Sequence, residues 1–365
     1  MKKIGLLTWH YFSNFGSMLQ AYALLNTLKQ MKFNAVFINY RDLKYGKSSG
    51  YKNKIKHLLS KFKVVLPKKY RERFYYPFIS FSEGYLNQTE YIWDKEKLSS
   101  FSEKFDAIIC GSDQIWAPNV FNPIYMIDFA DGKKVRKISY AASIGLSDIP
   151  DDLCDEYKKL LSDFTSVSVR ENTGMELLED KCGIKSKVVL DPTFLLDIEK
   201  YKKIEKMPSG FDKNKEYVFC YFLNGDNDYF RTVKNYAEEN NLFVYGVSSD
   251  SKDSSNMKIV ENIGPREFLW LIHNAKMVFT DSYHGTIFSL LFHKDFRTFK
   301  RFKSEDKICQ NSRIFQLGEK FGISDFIIDS DSKINCSLKV DYDTFEEKLK
   351  AEKEDSLNYL RKALE

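Results

Sequence analysis

The stretch Lys2-Lys3-Ile4-Gly5-Leu6-Leu7-Thr8-Trp9 opens the sequence and establishes its fold class. Its short apolar run predicts a buried strand, and helically spaced apolar residues over Ser17–Met31 predict a helix after the loop His10–Gly16. Ala35–Tyr40 predicts the next strand, which completes a β-α-β unit. A chain that begins in this way is expected to build a parallel sheet covered by helices.

The same alternation continues through the first half of the chain, where short apolar runs predict strands and periodic segments predict helices. The first half is therefore expected to be a doubly wound α/β domain. The predicted strands are Phe105–Cys110, Lys137–Ala141, Ser166–Val169 and Lys187–Leu190, and the predicted helices are Asp151–Ser162 and Asn172–Lys181.

A second α/β domain is predicted after Asp197–Lys215, a lysine-rich segment with Pro208 and Gly210 that is the best candidate for a linker. Thr344–Leu364 predicts an amphipathic helix behind an Asp343-Thr344 cap. We expect Rossmann-like domains over residues 1–200 and 216–340, with residues 341–365 as a terminal helix. Two such domains place ligands at the carboxyl ends of their strands. The alternation in the second half is Tyr217–Leu223, Tyr229–Asn240, Leu242–Val247, Pro265–His273, Met277–Thr280 and Gly285–Phe292.

The composition is that of a folded globular protein, with 43% hydrophobic and 29% charged residues among 365. Six scattered cysteines without a Cys-x-x-Cys pair indicate reduced thiols, as in a cytosolic protein. Only four apolar residues, Ile4–Leu7, follow the N-terminal lysines, so no signal peptide is predicted. No window approaches the roughly 20 apolar residues that span a bilayer. The sequence therefore favours a cytoplasmic location.

Residues 41–73 concentrate positive charge, with twelve Lys or Arg against Asp42 and Glu72. Apolar residues between Ile55 and Val65 recur at helical spacing, which makes the segment amphipathic. A solvated surface helix and a peripheral membrane contact through residues 52–69 are both open interpretations. Nucleic acid is not expected as a partner, because no recognition motif accompanies the charge.

Two polar runs follow predicted strands of the first domain. Asn14-Phe15-Gly16-Ser17 starts a helix, where a glycine permits a ligand to approach backbone N–H groups, although a tight turn capped by Ser17 explains it equally well. Cys110 to Asn119 contains Ser112, Asp113, Gln114, Trp116 and Asn119, which suit a hydroxyl-rich ligand through hydrogen bonds and aromatic stacking. Asp113 can also take a proton from an attacking hydroxyl. An Asx turn is the alternative for this run.

A third polar run, Thr280 to Thr286, leaves a strand of the second domain and opens a helix. His284 carries a proton near neutral pH, and the helix start attracts an anion, so the run suits proton transfer beside a phosphate. A structural alternative is that His284 caps the helix or pairs with Asp281. Arg170 follows a strand, and Arg313 follows the basic loop Lys300–Lys307; either guanidinium is a natural clamp for phosphate or carboxylate, or a surface ion pair.

Metal chemistry has little support, because the histidines and cysteines lack zinc-ligand spacing. Asp329-Ser330-Asp331 resembles the Asp-x-Asp of metal-dependent sugar transferases, but it stands too late in the chain and is interpreted as a turn. No Gly-x-Ser-x-Gly elbow is present, which counts against a hydrolase. No metal and no cofactor are expected.

Several blocks in order resemble the polysaccharide pyruvyl transferase family, from about residue 4 to residue 325. They are Asn14 to Leu24, Gly111-Ser112-Asp113-Gln114-Ile115-Trp116, Ser168-Val169-Arg170-Glu171, Leu190-Asp191-Pro192-Thr193 and Thr280 to Thr286. Members of that family are similar to two-domain glycosyltransferases of the GT-B architecture, whose last helix crosses back to the first domain. The resemblance therefore implies two Rossmann-like domains facing a cleft, with Thr344–Leu364 as the crossing helix.

The resemblance also implies a reaction: transfer of a pyruvyl group from phosphoenolpyruvate, a co-substrate, to two hydroxyls of a sugar in a cell-surface or exopolysaccharide. It implies a donor site in the second domain and a glycan or lipid-linked oligosaccharide acceptor in the first. An acid beside the phosphate is needed to protonate the enol methylene, and cations stabilise the departing phosphate. The expected catalytic residues are His284, Arg170 and Asp113; the donor-binding residues are Ser282, Tyr283, Gly285, Thr286, Arg313 and Lys300; the acceptor-binding residues are Asn14, Gly16, Ser17, Ser112, Gln114, Trp116 and Asn119.

The chain departs from the family at one position. Better-known members carry Arg-Leu-His where this sequence has Ser282-Tyr283-His284, so an arginine expected at the donor is missing. Either Arg313 or a lysine of the Lys300–Lys307 loop replaces that charge, or the donor differs from phosphoenolpyruvate. The alternatives are a nucleotide-sugar glycosyltransferase of the same architecture and a non-catalytic glycan-binding relative.

Overall fold

The computed structural model describes residues 1–10, 13–40, 75–92, 94–224, 227–248, 257–302, 311–329, 332–335 and 337–365. Its first half is built on a four-stranded parallel sheet of order β2-β1-β3-β4. Isolated bridges join β4 to the short parallel pair β5-β6. The strands are β1 Lys3–Leu7, β2 Asn34–Phe37, β3 Ala107–Cys110, β4 Arg136–Ser139, β5 Ser168–Val169 and β6 Lys187–Val188.

Helices cover this sheet as the alternating sequence predicts. The 3-10 helices Pro118–Val120, Pro123–Met126 and Pro192–Phe194 each begin at a proline, whose fixed φ suits a first helical position. The α-helices are α1 Phe15–Gln30, α2 Tyr75–Tyr85, α3 Lys95–Ser102, α4 Asp151–Leu161, α5 Asn172–Asp180 and α6 Ile198–Lys202.

The second half forms a six-stranded parallel sheet of order β12-β11-β10-β7-β8-β9. The central strands β7 and β10 are buried throughout, as expected for a parallel sheet covered on both faces. The strands are β7 Tyr217–Phe222, β8 Phe243–Ser248, β9 Lys258–Ile259, β10 Met277–Thr280, β11 Phe296–Phe299 and β12 Ile327–Ile328. The helices are α7 Asn227–Glu239, α8 Pro265–Asn274, α9 Tyr283–Leu291, α10 Ser312–Phe321 and α11 Tyr342–Leu364, with a 3-10 turn at Ser324–Phe326.

Each sheet has a point where the strand order reverses, and the polar runs leave the sheets there. In the first sheet β1 and β3 are neighbours, and in the second β7 and β10 are neighbours. The connections after such a pair diverge, which opens a crevice at the carboxyl edge of the sheet. The loops carrying Gly16, Asp113 and His284 follow β1, β3 and β10, so the topology favours these edges as ligand sites.

The two halves share one apolar core rather than meeting through a thin contact. Phe15, at the start of α1, stacks on Phe268 of α8 with ring centroids 4.5 Å apart and meets Tyr221 of β7 edge-on. Tyr201 of α6 is fully buried and donates its hydroxyl to the Thr193 carbonyl at 2.9 Å. The predicted linker Asp197–Lys215 is therefore packed at its start and includes a short helix.

The last helix, α11, contacts both halves. Its first turns pack Phe345 against Phe321 of α10, and its last turns bring the Tyr359 hydroxyl to the Ser139 carbonyl of β4 at 2.9 Å. The Ser356 hydroxyl accepts a hydrogen bond from the Leu190 N–H at 2.9 Å. The expected crossing of the terminal helix back to the first domain is confirmed.

Three predictions fall partly or wholly outside the described residues. The basic segment 52–69, proposed to contact membranes, lies there entirely, and so do Lys303 and Lys307 of the Lys300–Lys307 loop and part of Asp329-Ser330-Asp331. Among the helices of the described residues, none is long and apolar enough to cross a membrane. The described cysteines are free, buried thiols: Cys110, Cys154, Cys182 and Cys220.

Candidate active site

The start of helix α1 approaches the second domain so closely that only a glycine fits. Asn14 caps the helix, and its Oδ1 accepts a hydrogen bond from the Ser17 N–H at 3.0 Å. A Cβ atom on Gly16 would lie 2.1 Å from Nδ1 of His284, well inside van der Waals contact. The polar run after β1 and the histidine of the third run therefore form one site between the domains.

The second polar run joins this site through Asp113. Its carboxylate Oδ2 accepts a short hydrogen bond from the Ser17 hydroxyl, and its Oδ1 accepts from the Gln114 N–H at 2.9 Å. The backbone of Asp113 is left-handed, with φ near +73°, which a short polar side chain tolerates better than most. Ser112 is fully buried, and its N–H donates to the side chain of Gln20 at 3.2 Å.

A buried carboxylate, Asp191, links the two domains at the centre of the site. Its Oδ2 lies 2.9 Å from Nη1 of Arg170 and 3.3 Å from Nε2 of His284. Burial raises the pKa of Asp191, but the charges of His284 and Arg170 outweigh it and hold that pKa below its ordinary value. His284 therefore pairs with Asp191, and the alternative prediction that it pairs with Asp281 is wrong.

The Asp281 carboxylate is hydrogen-bonded to backbone N–H groups instead. Its carboxylate accepts from the N–H groups of Leu223 at 2.7 Å and Asn224 at 2.8 Å, which ties the end of β10 to the loop after β7. Burial raises the pKa of Asp281 to about 6, although these two hydrogen bonds lower it in part.

Two arginines face the same tyrosine beside a pocket between the two domains that is partly open to solvent. The guanidinium carbon of Arg170 lies 4.6 Å from the centre of the Tyr283 ring, and that of Arg313 lies 5.9 Å from it. Burial and the nearby Arg170 charge lower the pKa of Arg313 to about 10, so it remains a cation at neutral pH. Among the described residues, Nε and Nη2 of Arg170 and Nε2 of His284 are buried without a hydrogen-bond partner, so the 3.3 Å approach of Nε2 to Asp191 is an ion-pair contact.

The remaining residues predicted around His284 build the helix start. Ser282 caps α9, and its hydroxyl accepts from the Gly285 N–H at 3.3 Å. The Thr286 hydroxyl is fully buried and contacts the Ser282 carbonyl at 3.1 Å and the Thr298 hydroxyl at 2.8 Å. Gly285 packs against Thr280, whose Oγ1 would lie 2.4 Å from an added Cβ. Gly285 and Thr286 are therefore engaged in packing at the start of α9, and their donor-binding role stays a prediction.

Other predicted residues lie away from this cluster or are committed to packing. Trp116 is fully buried, and its indole N–H donates to the Tyr125 carbonyl at 3.0 Å, so its predicted stacking role is corrected to a core role. Asn119 is exposed on the 3-10 helix Pro118–Val120. Gln114 packs its amide against the backbone of Gly145. Lys300 forms an ion pair with Asp329 at 3.0 Å.

Sequence reasoning missed the roles of Asp191 and Glu171. Both stand in blocks that carried the family resemblance, but no local pattern marks them as partners of Arg170 or His284. Glu171 holds the loop after β4, because its Oε1 accepts from the Ser143 hydroxyl and the Gly145 N–H, each at 2.8 Å. Its other oxygen lies 3.7 Å from Nε of Arg170.

The arrangement combines groups for anion binding and for proton transfer. Two guanidinium groups border one cavity, a histidine pairs with a buried carboxylate, and Asp113 presents a second carboxylate near the start of α1. Guanidinium groups recognise phosphate and carboxylate, and histidine and aspartate move protons. Within the described part of the chain, no group of three or more His, Cys, Asp or Glu side chains is placed to hold a metal ion.

Comparison with solved structures finds proteins of similar fold. It is similar to the UDP-GlcNAc 2-epimerase from Methanocaldococcus jannaschii, with 13% identity and a TM-score of 0.51 over 95% of this chain and 91% of that chain. The UDP-GlcNAc 2-epimerase from Neisseria meningitidis bound to UDP-GlcNAc matches at 11% identity and a TM-score of 0.49, over 99% of this chain and 100% of that chain. The first likeness bears on the fold alone, and with the two parallel sheets it confirms the expected GT-B-like arrangement.

Sequence comparison gives a family. No curated protein matches the chain. A sequence model described as polysaccharide pyruvyl transferase matches residues 14–301, a range that includes Asn14, Arg170, Asp191 and His284. The match covers most of the chain and most strands of both sheets, and we conclude that this protein belongs to the polysaccharide pyruvyl transferase family.

Proposed function

We propose that this protein transfers a pyruvyl group from phosphoenolpyruvate to two hydroxyls of a sugar in a cell-surface or exopolysaccharide. The observation that carries the proposal is the pair of guanidinium groups, Arg170 and Arg313, beside one cavity between the domains. Phosphoenolpyruvate has two anionic groups, a phosphate and a carboxylate, and each is a good partner for a guanidinium. Membership of the family supports the same donor.

The reaction needs an acid, a base and an anion site. A proton added to the methylene carbon of phosphoenolpyruvate leaves a cationic carbon, which the first sugar hydroxyl attacks as it loses its own proton. The carbon–oxygen bond to phosphate then breaks, and the second hydroxyl closes the ketal. Of the two hydroxyl protons, one replaces the proton given to the methylene and the other leaves with hydrogen phosphate, so the reaction balances.

We assign the acid role to His284 and the base role to Asp113. Nε2 of His284 lies 3.3 Å from the Asp191 carboxylate, and histidine is the side chain that most often gives or takes a proton in catalysis. Asp113 lies on the first-domain side, where its carboxylate bonds to Ser17 at the start of α1, and it is proposed to receive the proton of the attacking hydroxyl. The acceptor is proposed to bind in the first domain near Gly16, Ser17 and Asp113.

Arg313 is proposed to replace the arginine that better-known family members carry two residues before the histidine. Arg313 faces the Tyr283 ring and lines the same pocket as Arg170, and Lys300 is not among the residues that line it. The positive charge at the donor is therefore supplied from α10 instead of from the start of α9. This substitution is consistent with phosphoenolpyruvate as the donor despite the altered motif.

Thermal unfolding with phosphoenolpyruvate, in parallel with a panel of nucleotide sugars, tests the donor. A ligand at 100 times its dissociation constant stabilises a protein by about 2.7 kcal/mol. We expect a higher midpoint with phosphoenolpyruvate and a weaker response in Arg313→Gln. A response to nucleotide sugars alone favours a glycosyltransferase, and glycan binding without phosphate release favours a non-catalytic relative.

A lipid-linked acceptor and a cytoplasmic site at the inner membrane face are part of the same proposal. They rest on the sequence of residues 52–69, where basic and apolar residues recur together. Replacing several lysines of that segment by Gln is expected to weaken sedimentation with anionic liposomes while leaving turnover of a soluble acceptor unchanged. Equal sedimentation of the variant and the wild type contradicts membrane contact through this segment.

A further inference from the structure

Asp191 is a fully buried carboxylate whose two oxygens have separate partners. Its Oδ1 accepts from the N–H and the hydroxyl of Thr193, at 2.9 and 2.7 Å. These bonds belong to its own turn, since Asp191 caps the 3-10 helix Pro192–Phe194. The Asp191 carboxylate is therefore held in place by its own turn, independently of its contacts with the rest of the site.

Its other oxygen, Oδ2, is left for groups from distant parts of the chain. Nη1 of Arg170 donates to it at 2.9 Å, Nε2 of His284 lies 3.3 Å away, and the Ser112 hydroxyl lies at 3.4 Å. Arg170 comes from the first domain and His284 from the second. One oxygen atom thus faces both Arg170 and His284.

The His284 ring is confined from its other side as well. The Cα of Gly16 lies so close that an added Cβ would stand 2.1 Å from Nδ1 and 2.5 Å from Cγ. The ring edge that carries Nδ1 therefore faces the start of α1, and Nε2 faces the carboxylate. With an anion beside Nε2, the proton of the ring is favoured on that atom.

We propose that Asp191 is a positioning residue, which fixes the orientation of the His284 ring, keeps a proton on its Nε2, and holds Arg170 with Nη2 left for the donor anion. The inference rests on the proposed function for the identity of that anion. Asp191 does not touch donor or acceptor in this role. It acts through His284 and Arg170.

Asp191→Asn removes the charge with little change of shape. An amide placed there can still accept from Thr193 through its oxygen, but its N–H₂ then faces Nη1 of Arg170 and Nε2 of His284, which are also donors. Glu267→Gln is the matched control. Glu267 is likewise buried, accepts from the Gly264 N–H at 3.0 Å and lies 3.3 Å from a lysine, and it belongs to α8.

The first measurement needs no ligand. The ¹⁵N chemical shifts of the histidine rings report which ring nitrogens carry protons, and His284→Ala assigns the signal. We expect a protonated Nε2 in the wild type, a changed His284 signal in Asp191→Asn and an unchanged one in Glu267→Gln. An unprotonated Nε2 in the wild type, or identical His284 signals in the wild type and Asp191→Asn, overturns the proposal; the wild-type result decides even if the variant does not fold.

The second measurement separates this role from the donor assignment. Phosphoenolpyruvate binding is followed by calorimetry, and phosphate release is followed with an acceptor found by screening simple glycosides. We expect Asp191→Asn to bind phosphoenolpyruvate more weakly than the wild type, because Arg170 is no longer held in place, and kcat to fall about 10²- to 10⁴-fold. Equal kcat in both proteins overturns the positioning role. A wild type that binds no phosphoenolpyruvate contradicts the proposed function, and the histidine spectra then still decide the role of Asp191.

Discussion

Replacing Gly16 by alanine tests the contact that brings the two domains together at the site. The added methyl group would lie 2.1, 2.5 and 2.9 Å from Nδ1, Cγ and Cε1 of His284, and real Cβ atoms do not approach other atoms so closely. The ring has little room to retreat, because Asp191 contacts its opposite edge. We expect Gly16→Ala to displace the His284 ring or to separate α1 from the second domain.

Two opposing effects set the size of the change. Alanine stabilises a helix interior by about 1 kcal/mol relative to glycine. Overpacking of a filled space costs about 1–3 kcal/mol. Gly84, in α2, is the matched control, because an added Cβ there meets nothing within 4 Å. We expect Gly84→Ala to be neutral or stabilising and Gly16→Ala to be less stable than it by about 1–3 kcal/mol.

The assay is thermal unfolding of both variants, alone and combined with His284→Ala. About 1 kcal/mol moves the midpoint by roughly 2 °C or somewhat less in a chain of this size. Removing the imidazole opens the space, so Gly16→Ala should lose most of its cost in the His284→Ala background, with a coupling of about 0.5–3 kcal/mol. If Gly16→Ala costs the same with and without the imidazole, or behaves like Gly84→Ala, the contact does not exist and the reasoning fails.

Three further predictions follow from single contacts. Arg313→Gln should weaken phosphoenolpyruvate binding about tenfold or more, as expected for a lost charge-assisted hydrogen bond, while Lys300→Gln leaves binding nearly unchanged in the same titration; the reverse order contradicts the assignment. Because burial raises the pKa of Asp281 from 3.8 to about 6, its ionisation on going from pH 4 to pH 7 should cost the wild type up to about 3 kcal/mol of unfolding free energy. Asp281→Asn should lack that loss. The unfolding free energies of the two proteins are measured by denaturant titration at several pH values, and an equal fall with pH in both refutes the prediction. Tyr359→Phe should lower stability by about 1 kcal/mol by removing the bond to the Ser139 carbonyl, and an unchanged unfolding midpoint argues against docking of α11 there.

The sequence predicts the architecture well because its signals are local. The strand Met277–Thr280 is found at the predicted residues, and the helix predicted at Asp151–Ser162 ends one residue earlier. Buried parallel strands are short apolar runs, and surface helices repeat every 3.6 residues, so each element leaves its own pattern. The predicted linker Asp197–Lys215 is less accurate, since Tyr201 is buried by partners that no local pattern reveals.

The candidate site is predicted in its location and only partly in its members. Polar residues after β1 and β3 had to meet at one sheet edge, because parallel strands of one sheet end on the same side, whereas the run after β10 meets them only because the two domains pack together. Trp116 looked suitable for stacking on a sugar, and Thr286 looked suitable for binding an anion, but both are fully buried. Residue type and spacing do not report whether a side chain turns toward a cleft or into a core.

By itself the sequence determined two α/β domains, a crossing terminal helix, the family, and the loops in which Arg170 and His284 stand. Tertiary structure decided that Asp191 is the common partner of these two residues and that Gly16 packs against the His284 ring. The physical reason is the distance along the chain over which each kind of interaction acts. Backbone propensity and periodicity act over a few residues, whereas the charge that a buried carboxylate meets depends on how two domains pack against each other.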